Sequence, residues 1–342
     1  MKVAVAAKTT TSAGLEQRLA DWPSSGAIST LSPRLAQLAD HALYAPLRAF
    51  LARPGKEVRA RVSRLAYRLS GGQGEPPPAL PSIVECLHAG SLIVDDIEDA
   101  SLCRRGEPCL HRQVGVPLAL NAGNALYFMP SLLIEEAGLS AEQQLLVHRL
   151  VGRCLLRCHE GQALDLTVRL QELRPGEAQL VARGISERKT GALVGLAAAL
   201  GAVAAGASAQ DIDALHAFGV ELGVGLQMLD DVSGVINPSR ADKGIEDLRE
   251  GRATWVWAML ERELPAESYQ VWLESACSAT TSEAHAALLD RMRFPLSMRG
   301  PERVRAHLDW AHRELDAQLD ITAMQSELTA ELRRLERRFL EG

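Results

Sequence analysis

Hydrophobic residues recur at helical spacing along most of the chain, and short polar segments with glycine or proline separate these stretches. Regularly spaced leucines predict a helix between positions 32 and 54, and a second helical pattern begins near Lys56. A very apolar helix is predicted from 82 to about 101. Further helices are predicted over 116–137, 141–171, 176–206, 209–235, 252–263, 267–292 and 301–340, with breaks at Gly138, Pro175, Ala207-Ser208, Pro265 and Pro295.

Many long helices with short connections, and no alternating strand pattern, predict an all-α fold. We interpret 31–342 as a single helical bundle domain. Residues 1–30 are rich in Ser, Thr, Gly and Ala and show little periodicity, so they predict a loosely ordered arm. The uncharged segment 191–210 consists mostly of alanine and glycine, which favours a closely packed buried helix over a membrane span.

Composition and charge narrow the function further. The 342 residues carry 37 Lys and Arg against 43 Asp and Glu, a net charge of −6, which disfavours a nucleic-acid partner. Six scattered cysteines without a secretory signal predict a reducing compartment, and therefore a cytoplasmic protein that is not integral to a membrane. Any phosphate that the protein binds must be met by a local group of cations.

Four acids crowd into the sequence DDIED (95–99) at the end of the apolar helix. Asp95 and Asp99 are one helical turn apart, so their like charges repel, and the helix dipole adds to the cost. Mg²⁺ would offset this repulsion, because it takes one or two carboxylates together with phosphate oxygens. The alternative is a solvated acidic helix end. A calcium-binding EF-hand is excluded, since its sixth loop position requires glycine and is Ala100 here.

A second acid pair, Asp230-Asp231, also follows an apolar helical run and precedes a polar loop that contains Lys243. Two such pairs predict facing helices that direct carboxylates into one bundle core, as in bundle metal sites. Cations complete the pattern at three places: Lys56 with Arg59, Arg104 with Arg105, and Lys189. Each alone is typical of a solvated surface, but together they predict two phosphorylated ligands beside a metal cluster.

These motifs make the sequence resemble the trans-isoprenyl diphosphate synthases, and most closely the short-chain geranylgeranyl diphosphate synthases. The resemblance extends from about Leu43 to the C-terminal helices and implies a bundle with a central cavity. The motifs that carry it are PGKEVR (54–59), LHAGSLIVDDIEDASLCRRGEP (87–108), HEGQALDL (159–166), KTG (189–191), LQMLDD (226–231) and KGIEDLREGR (243–252).

The resemblance also implies a role for individual residues. The ligands of two or three Mg²⁺ ions would be Asp95, Asp99 and Asp230. The allylic diphosphate would be bound by Arg104, Lys189 and Lys243, together with Arg252 in a position where lysine is usual. Isopentenyl diphosphate would be bound by Lys56, Arg59, His88 and Arg105. Thr190 and Gln227 would lie beside the developing allylic cation.

The sequence departs from the family pattern at some positions, and other positions are expected to determine the length of the product. The second acid motif reads DDVSG, so Gly234 replaces a third acid, for which Asp247 of the following loop would substitute. Ala60 replaces a proline. Small residues four and five positions before Asp95 predict an open tunnel beside the helix, and the resemblance of the floor residues to those of twenty-carbon synthases implies a twenty-carbon product. The predicted cavity determinants are Gly90 and Ser91 beside the helix and Tyr127, Phe128 and His159 at the floor.

The resemblance therefore implies an enzyme that condenses isopentenyl diphosphate with dimethylallyl, geranyl or farnesyl diphosphate to give geranylgeranyl diphosphate. Magnesium-assisted ionisation, condensation and elimination would be its steps, and a homodimer its assembly. Two alternatives stay open: a terpene cyclase on the same fold, and a non-catalytic subunit of a heteromeric prenyl synthase. A zinc site at Cys154, Cys158 and His159 is disfavoured, because no fourth ligand is apparent.

Overall fold

The computed structural model describes residues 31–53 and 57–340, and within them it confirms the all-α prediction. The predicted arm at 1–30 and the candidate ligand Lys56 lie outside the described residues. The helices of the first part of the chain are α1 (Pro33–Ala39), α2 (Ala45–Leu51), α3 (Val58–Leu69), α4 (Ala79–Glu98), α5 (Leu110–Val114), α6 (Val116–Glu135) and α7 (Ala141–Thr167). Those of the second part are α8 (Ala178–Ser186), α9 (Ala192–Ala204), α10 (Ala209–Ile236), α11 (Ala241–Arg249), α12 (Trp255–Glu263), α13 (Ala266–Ser278), α14 (Ser282–Asp316) and α15 (Gln325–Leu340).

The chain forms two compact units. Unit 1 contains the described part of Met1–Val151 together with Leu200–Ala207, and unit 2 contains Gly152–Ala199 together with the described residues that follow Ser208. Each unit has its own set of buried apolar side chains, so the candidate residues are described within the unit to which they belong.

In unit 1, α4 and α6 pack closely because glycines face each other where the helices cross. A Cβ atom added to Gly90 would lie 2.9 Å from the carbonyl oxygen of Gly123 and 3.1 Å from Cβ of Leu126. Ile83 and Leu133 are among the fully buried side chains of these helices. This packing holds α4, whose last turn carries Asp95, against a rigid neighbour.

A two-stranded hairpin follows α4, with β1 at Cys103–Arg104 and β2 at Glu107–Pro108. Its two turn residues, Arg105 and Gly106, both have positive φ (56° and 82°), the geometry that favours a tight two-residue turn. The guanidinium of Arg53 donates to the carbonyl oxygens of Arg104 (3.2 Å) and Pro108 (3.0 Å) and thereby holds the hairpin in place.

In unit 2, α10 packs against the π-helical segment Glu187–Gly191, again through glycine. A Cβ atom on Gly223 would lie 2.6 Å from Cα of Gly191, and one on Gly219 would lie 2.8 Å from Cα of Gly195. The predicted burial of the alanine- and glycine-rich segment is confirmed for residues 191–203, whereas the helix ends at Ala204 and residues 204–210 are partly or fully exposed. None of the described helices combines the length and apolarity needed to cross a membrane.

Several predicted boundaries are wrong in the C-terminal third. The helices expected at 267–292 and 301–340 are instead α13, α14 and α15, and the predicted break at Pro295 lies inside α14, as does Pro301. The hydroxyl oxygen of Thr281 accepts from the N–H of Ala284 (3.2 Å) and caps the start of α14. Buried leucines along α14 then offset the loss of proline N–H donors. The loop predicted after Asp231 contains the short helix α11.

Candidate functional site

The first acid cluster in unit 1 divides into exposed and buried carboxylates. Asp95 and Asp99 are half-buried at the C-terminal end of α4. Asp96 is only 1% exposed, and its Oδ1 accepts from Nε of Arg104 at 2.8 Å and from Nη2 at 2.5 Å. Nη2 of Arg104 also lies 3.4 Å from Oδ2 of Asp95. The buried acid therefore orients the arginine, and the other two remain accessible to a ligand.

A thiol is packed against the same buried carboxylate. Burial, together with the charge of Asp96, raises the pKa of Cys109 to about 12. Cys109 therefore stays a neutral thiol at physiological pH and adds no charge to the surroundings of Arg104.

A second group of side chains in unit 1 is dominated by arginine. Arg59 lies in the first turn of α3, and Arg105 donates to the carbonyl oxygen of Arg53 at 3.2 Å. Burial, followed by the charges of these two arginines, lowers the pKa of His88 well below its usual value, so the imidazole is neutral at pH 7. Burial raises the pKa of the neighbouring Glu85, while both arginines oppose that change. The two arginines and the neutral imidazole of His88 thus lie close enough to interact electrostatically, and their assignment to one diphosphate stays a prediction.

The second acid pair, in unit 2, divides in the same way as the first. Asp231 is buried; its Oδ1 accepts from Nε2 of Gln227 at 2.8 Å, and its Oδ2 accepts from the backbone N–H of Trp255 at 2.9 Å. Trp255 begins α12, so this carboxylate caps the helix from a neighbouring one. Burial raises the pKa of Asp231 to about 7, and the charge of Lys243 opposes the rise.

Asp230 is half-exposed and lies against two cations. Its Oδ1 is 2.7 Å from Nη2 of Arg240, and its Oδ2 is 3.5 Å from Nζ of Lys243. Lys243 also contacts Oδ2 of Asp247 at 3.1 Å. Burial lowers the pKa of Lys243, but the carboxylates of Asp247 and Asp230 outweigh it and raise the pKa overall, so the ammonium stays charged.

Lys189 and Thr190 lie on the π-helical segment before α9, an irregularity common at functional sites. Nζ of Lys189 is 2.5 Å from Oδ2 of Asp165, and Nη1 of Arg252 lies 3.4 Å from the same oxygen. The hydroxyl of Thr190 donates to Oε1 of Gln227 at 2.8 Å. A hydrogen-bonded chain thus runs from Thr190 through Gln227 to Asp231.

The sequence did not identify several residues that these groups depend on. Asp165 joins Lys189 to Arg252, although 24 and 87 positions separate it from them. Arg53 holds the hairpin, and Arg240 reaches back ten positions to Asp230. Asp165 stands in HEGQALDL (159–166), one of the motifs that carry the family resemblance, and this was its only sequence indication. Arg53 and Arg240 lie outside these motifs.

The predicted product-length residues do not share one environment. Gly90 does not leave open space, because its missing side chain is needed for the approach of Gly123; that part of the prediction is wrong. A Cβ atom there would also lie 3.2 Å from the ring of Tyr127, so Tyr127 does lie beside α4. The hydroxyl of Ser91 donates to the carbonyl of His88 at 2.8 Å. Phe128 is 75% exposed and His159 is also exposed. Either side chain can therefore form the floor of the product cavity only if another protein surface covers it.

The two acid pairs fit a metal ion to different degrees. Asp95 and Asp99 offer two half-buried carboxylates one helical turn apart, of which Asp95 contacts Arg104, and such a pair fits Mg²⁺ with phosphate oxygens as its other ligands. In unit 2, Asp230 alone is accessible, and cations contact both of its oxygens. Within 31–53 and 57–340, no three His, Cys, Asp or Glu side chains are grouped so that they could hold a metal ion. Cys154, Cys158 and His159 therefore do not form such a group.

Comparison with known proteins places these features in a family. The model of the Polyprenyl synthetase family matches residues 40–288. A geranylgeranyl diphosphate synthase of Sulfolobus acidocaldarius is 32% identical over 204 residues, which cover 58% of this chain and 61% of that protein. A short chain isoprenyl diphosphate synthase of Methanothermobacter thermautotrophicus is 30% identical over 263 residues, covering 70% of this chain and 78% of that protein. The chain thus spans less than two thirds of the length of the first relative.

Solved structures share the fold. A geranylgeranyl pyrophosphate synthetase of Geoglobus acetivorans superposes with a TM-score of 0.74 at 21% identity, covering 95% of this chain and 98% of that one. A geranylgeranyl pyrophosphate synthase of Corynebacterium glutamicum, solved with isoprenyl diphosphate and magnesium, gives a TM-score of 0.73 at 23% identity, covering 97% and 99%.

Proposed function

The chain belongs to the polyprenyl synthetase family, and from this membership we propose that it is a trans-prenyltransferase. It joins isopentenyl diphosphate head to tail to an allylic diphosphate and yields geranylgeranyl diphosphate. Relatives of about 30% identity carry that activity in their names. The observation that carries the proposal is that cations of unit 1 have different neighbours: Arg104 contacts the carboxylates of Asp95 and Asp96, whereas Arg59 and Arg105 act on His88 and Glu85.

The allylic diphosphate is assigned to Arg104 and its neighbouring carboxylates. Asp95 and Asp99 would hold Mg²⁺, and Asp230 is the candidate ligand in unit 2. When bound, the metal neutralises the charge that develops on the departing diphosphate. Arg104, held by Asp96 at 2.5 Å, donates to the same diphosphate from a fixed position. Lys189 and Lys243 are the candidate diphosphate-binding cations of unit 2, and a carboxylate already orients each of them.

Isopentenyl diphosphate is assigned to Arg59, His88 and Arg105, with Lys56 of the same motif. These groups supply positive charge and hydrogen-bond donors, and Glu85, their carboxylate neighbour, has a raised pKa. A diphosphate bound by arginine without a metal is anchored but not activated as a leaving group. The assignment therefore explains how one of two similar diphosphates ionises and the other does not.

Thr190 and Gln227 are assigned to the developing allylic cation. Because the Thr190 proton is donated to Gln227 and Gln227 in turn donates to Asp231, the lone pairs of the Thr190 oxygen remain available. Oxygen lone pairs fixed in this way stabilise a positive charge without attacking it. The proton lost after condensation goes to the released diphosphate, so no side-chain base is assigned.

A homodimer in the cytoplasm completes the proposal. α6 carries several apolar side chains that are exposed on the single chain, and a second copy that covered them would also cover Phe128. These residues are Val116, Leu118, Leu120 and Phe128. Neither alternative has support of its own: a terpene cyclase needs no second diphosphate group, and a non-catalytic subunit needs no intact acid cluster.

The test is to incubate the purified full chain with Mg²⁺, isopentenyl diphosphate and each of the three starters, and then to size the dephosphorylated alcohols. We expect a twenty-carbon alcohol that is lost when EDTA is added. A cyclic hydrocarbon formed from the allylic substrate alone would identify a cyclase. No product with any starter would contradict the proposal.

A further inference from the structure

Arg240 is fixed against Asp230 by the short turn that follows α10. The carboxamide oxygen of Asn237 accepts from the N–H of Ser239 at 3.0 Å and shapes the 3₁₀ turn Pro238–Arg240. From this turn the guanidinium places Nη2 2.7 Å from Oδ1 of Asp230, while its Nη1 donates to the hydroxyl of Ser233. Two-point contact by a planar guanidinium fixes its orientation as well as its charge.

The hydroxyl that supports Arg240 is itself fixed. Ser233 is fully buried, and its Oγ donates to the backbone carbonyl of Asp230 at 2.9 Å. Ser233 therefore links the helical backbone at Asp230 to the guanidinium that contacts the Asp230 carboxylate. Both the acid and its cation are thus held by the same turn of α10.

The position that lacks a third acid is used for helix packing. A Cβ atom on Gly244 would lie 2.5 Å from the carbonyl oxygen of Gly234, and one on Gly234 would lie 3.5 Å from the backbone nitrogen of Gly244. The absence of a side chain at Gly244 lets α11 approach the backbone of α10 at Gly234, and the neighbouring Lys243 lies 3.5 Å from Asp230. Where the DDVSG sequence lacks a third acid, α10 is thus contacted by the helix that carries Lys243.

The remaining acids near Asp230 do not restore the missing ligand. Asp231 is buried and bonded to Gln227 and to the N–H of Trp255. Asp247 is bonded to Lys243 at 3.1 Å. A divalent ion at Asp230 would thus gain a single carboxylate and would lie close to two positive charges, which repel it.

We propose that Arg240 is a built-in cation that competes with divalent metal for Asp230, so that this chain binds metal weakly at its second acid pair. The guanidinium, instead of a metal ion, then supplies part of the positive charge at this end of α10. The inference deepens the proposed function and rests on it, because Asp230 is taken as the acid that would otherwise bind metal beside the diphosphate.

The test is a titration of the full chain with Mn²⁺, alone and with inorganic diphosphate, in which free Mn²⁺ is measured by electron paramagnetic resonance. The variants are Arg240→Gln and, as a matched control, Arg249→Gln. Arg249 lies nine residues further along and contacts Glu246 and Glu250 rather than Asp230, so its removal changes the net charge equally. Circular dichroism checks that both variants are folded.

We expect Arg240→Gln to bind Mn²⁺ about five- to tenfold more tightly at one site, or to gain one bound ion, while Arg249→Gln matches the wild type. Adding Asp230→Asn to Arg240→Gln should abolish the gain, as a double-mutant cycle requires of coupled residues. Equal binding by Arg240→Gln and wild type, or an equal gain in Arg249→Gln, would overturn the inference.

Catalysis is not needed for this readout, so the two proposals fail separately. A chain that forms no prenyl product but shows the expected change in Mn²⁺ binding contradicts the proposed function alone. A chain that makes the twenty-carbon product but shows no change in Mn²⁺ binding contradicts the role of Arg240 alone.

Discussion

Neighbouring aspartates in this protein have different tasks. In both acid pairs the first residue is half-exposed and the second is buried, because successive residues of a helix point about 100° apart. Asp96 holds Arg104, and Asp231 caps α12 and ends the hydrogen-bonded chain from Thr190. The buried members bind no substrate themselves, yet they position groups assigned to substrate.

The raised pKa of Asp231 leads us to predict how the free energy of unfolding depends on pH. Burial raises the pKa of its carboxyl to about 7 in the folded chain, against an ordinary value of 3.8. Between these values the folded state holds a proton that the unfolded state releases, so stability falls as the pH rises through that window. In metal-free buffer the free energy of unfolding of the wild type should fall from pH 4 to 7, by on the order of 4 kcal/mol from this group.

The measurement is urea unfolding at several pH values, with Asp231→Asn as the comparison. The variant cannot titrate at this position, so its curve should decline less over the same window. Parallel curves for the two proteins would show that Asp231 does not carry a raised pKa.

At the scale of helices, glycine decides which elements come together. α4 meets α6 at Gly90 and Gly123, and α10 meets α11 at Gly234 and Gly244. Gly90 lies five residues before Asp95, and Gly234 lies three residues after Asp231. The close approach of the backbones at these glycines therefore fixes the helix segments that carry the acid pairs. Changes at these glycines should act through packing rather than through chemistry.

Gly90→Ala should destabilise the protein by about 1–3 kcal/mol, because its Cβ would overpack against the backbone of Gly123. Gly152→Ala is the matched control: it also lies inside a helix, but a Cβ there meets nothing within 4 Å. Helix propensity predicts that this control is unchanged or more stable by up to about 1 kcal/mol. Equal effects of both substitutions in urea unfolding would contradict the packing role of Gly90.

A second prediction for α6 concerns the effect of Tyr127 on the length of the product. The ring of Tyr127 lies beside Gly90, so Tyr127→Ala should open space next to α4 and shift the product beyond twenty carbons. Phe128→Ala, one position along but 75% exposed, should leave the chain length unchanged. Product sizing by chromatography separates the two, and an unchanged product from Tyr127→Ala would remove it from the cavity wall.

Sequence periodicity predicted most helices but not their irregularities. It missed α11 because the polar sequence KGIEDLREGR (243–252) lacks an apolar stripe long enough to identify a helix. It placed a break at Pro295 because proline normally ends a helix. Burial of the neighbouring leucines instead stabilises α14, which continues without a break past Pro295. The π-helical segment at Lys189 depends on contacts with α10 and leaves no local pattern.

For the whole molecule, helical periodicity predicted the all-α fold and the order of the motifs predicted the family, but neither predicted which charged residues pair. Asp165 with Lys189, and Arg53 with the hairpin, are contacts between distant positions, so one sequence gives no spacing rule for them. The net charge of −6 likewise conceals local groups of arginine and lysine. These groups are what allow an acidic protein to be assigned two anionic substrates.

The central claim is that different side chains hold the two diphosphates, and Arg59→Gln tests it most directly by steady-state kinetics with each substrate varied in turn. Arg64→Gln is the control, since Arg64 lies on the same helix and contacts Glu75 at 3.2 Å. We expect Arg59→Gln to raise KM for isopentenyl diphosphate at least about tenfold, the loss of roughly 1.4 kcal/mol of binding. KM for the allylic diphosphate should stay within about twofold of the wild type, a change worth less than ~0.5 kcal/mol. An equal rise in both KM values, or no difference from Arg64→Gln, would contradict the account.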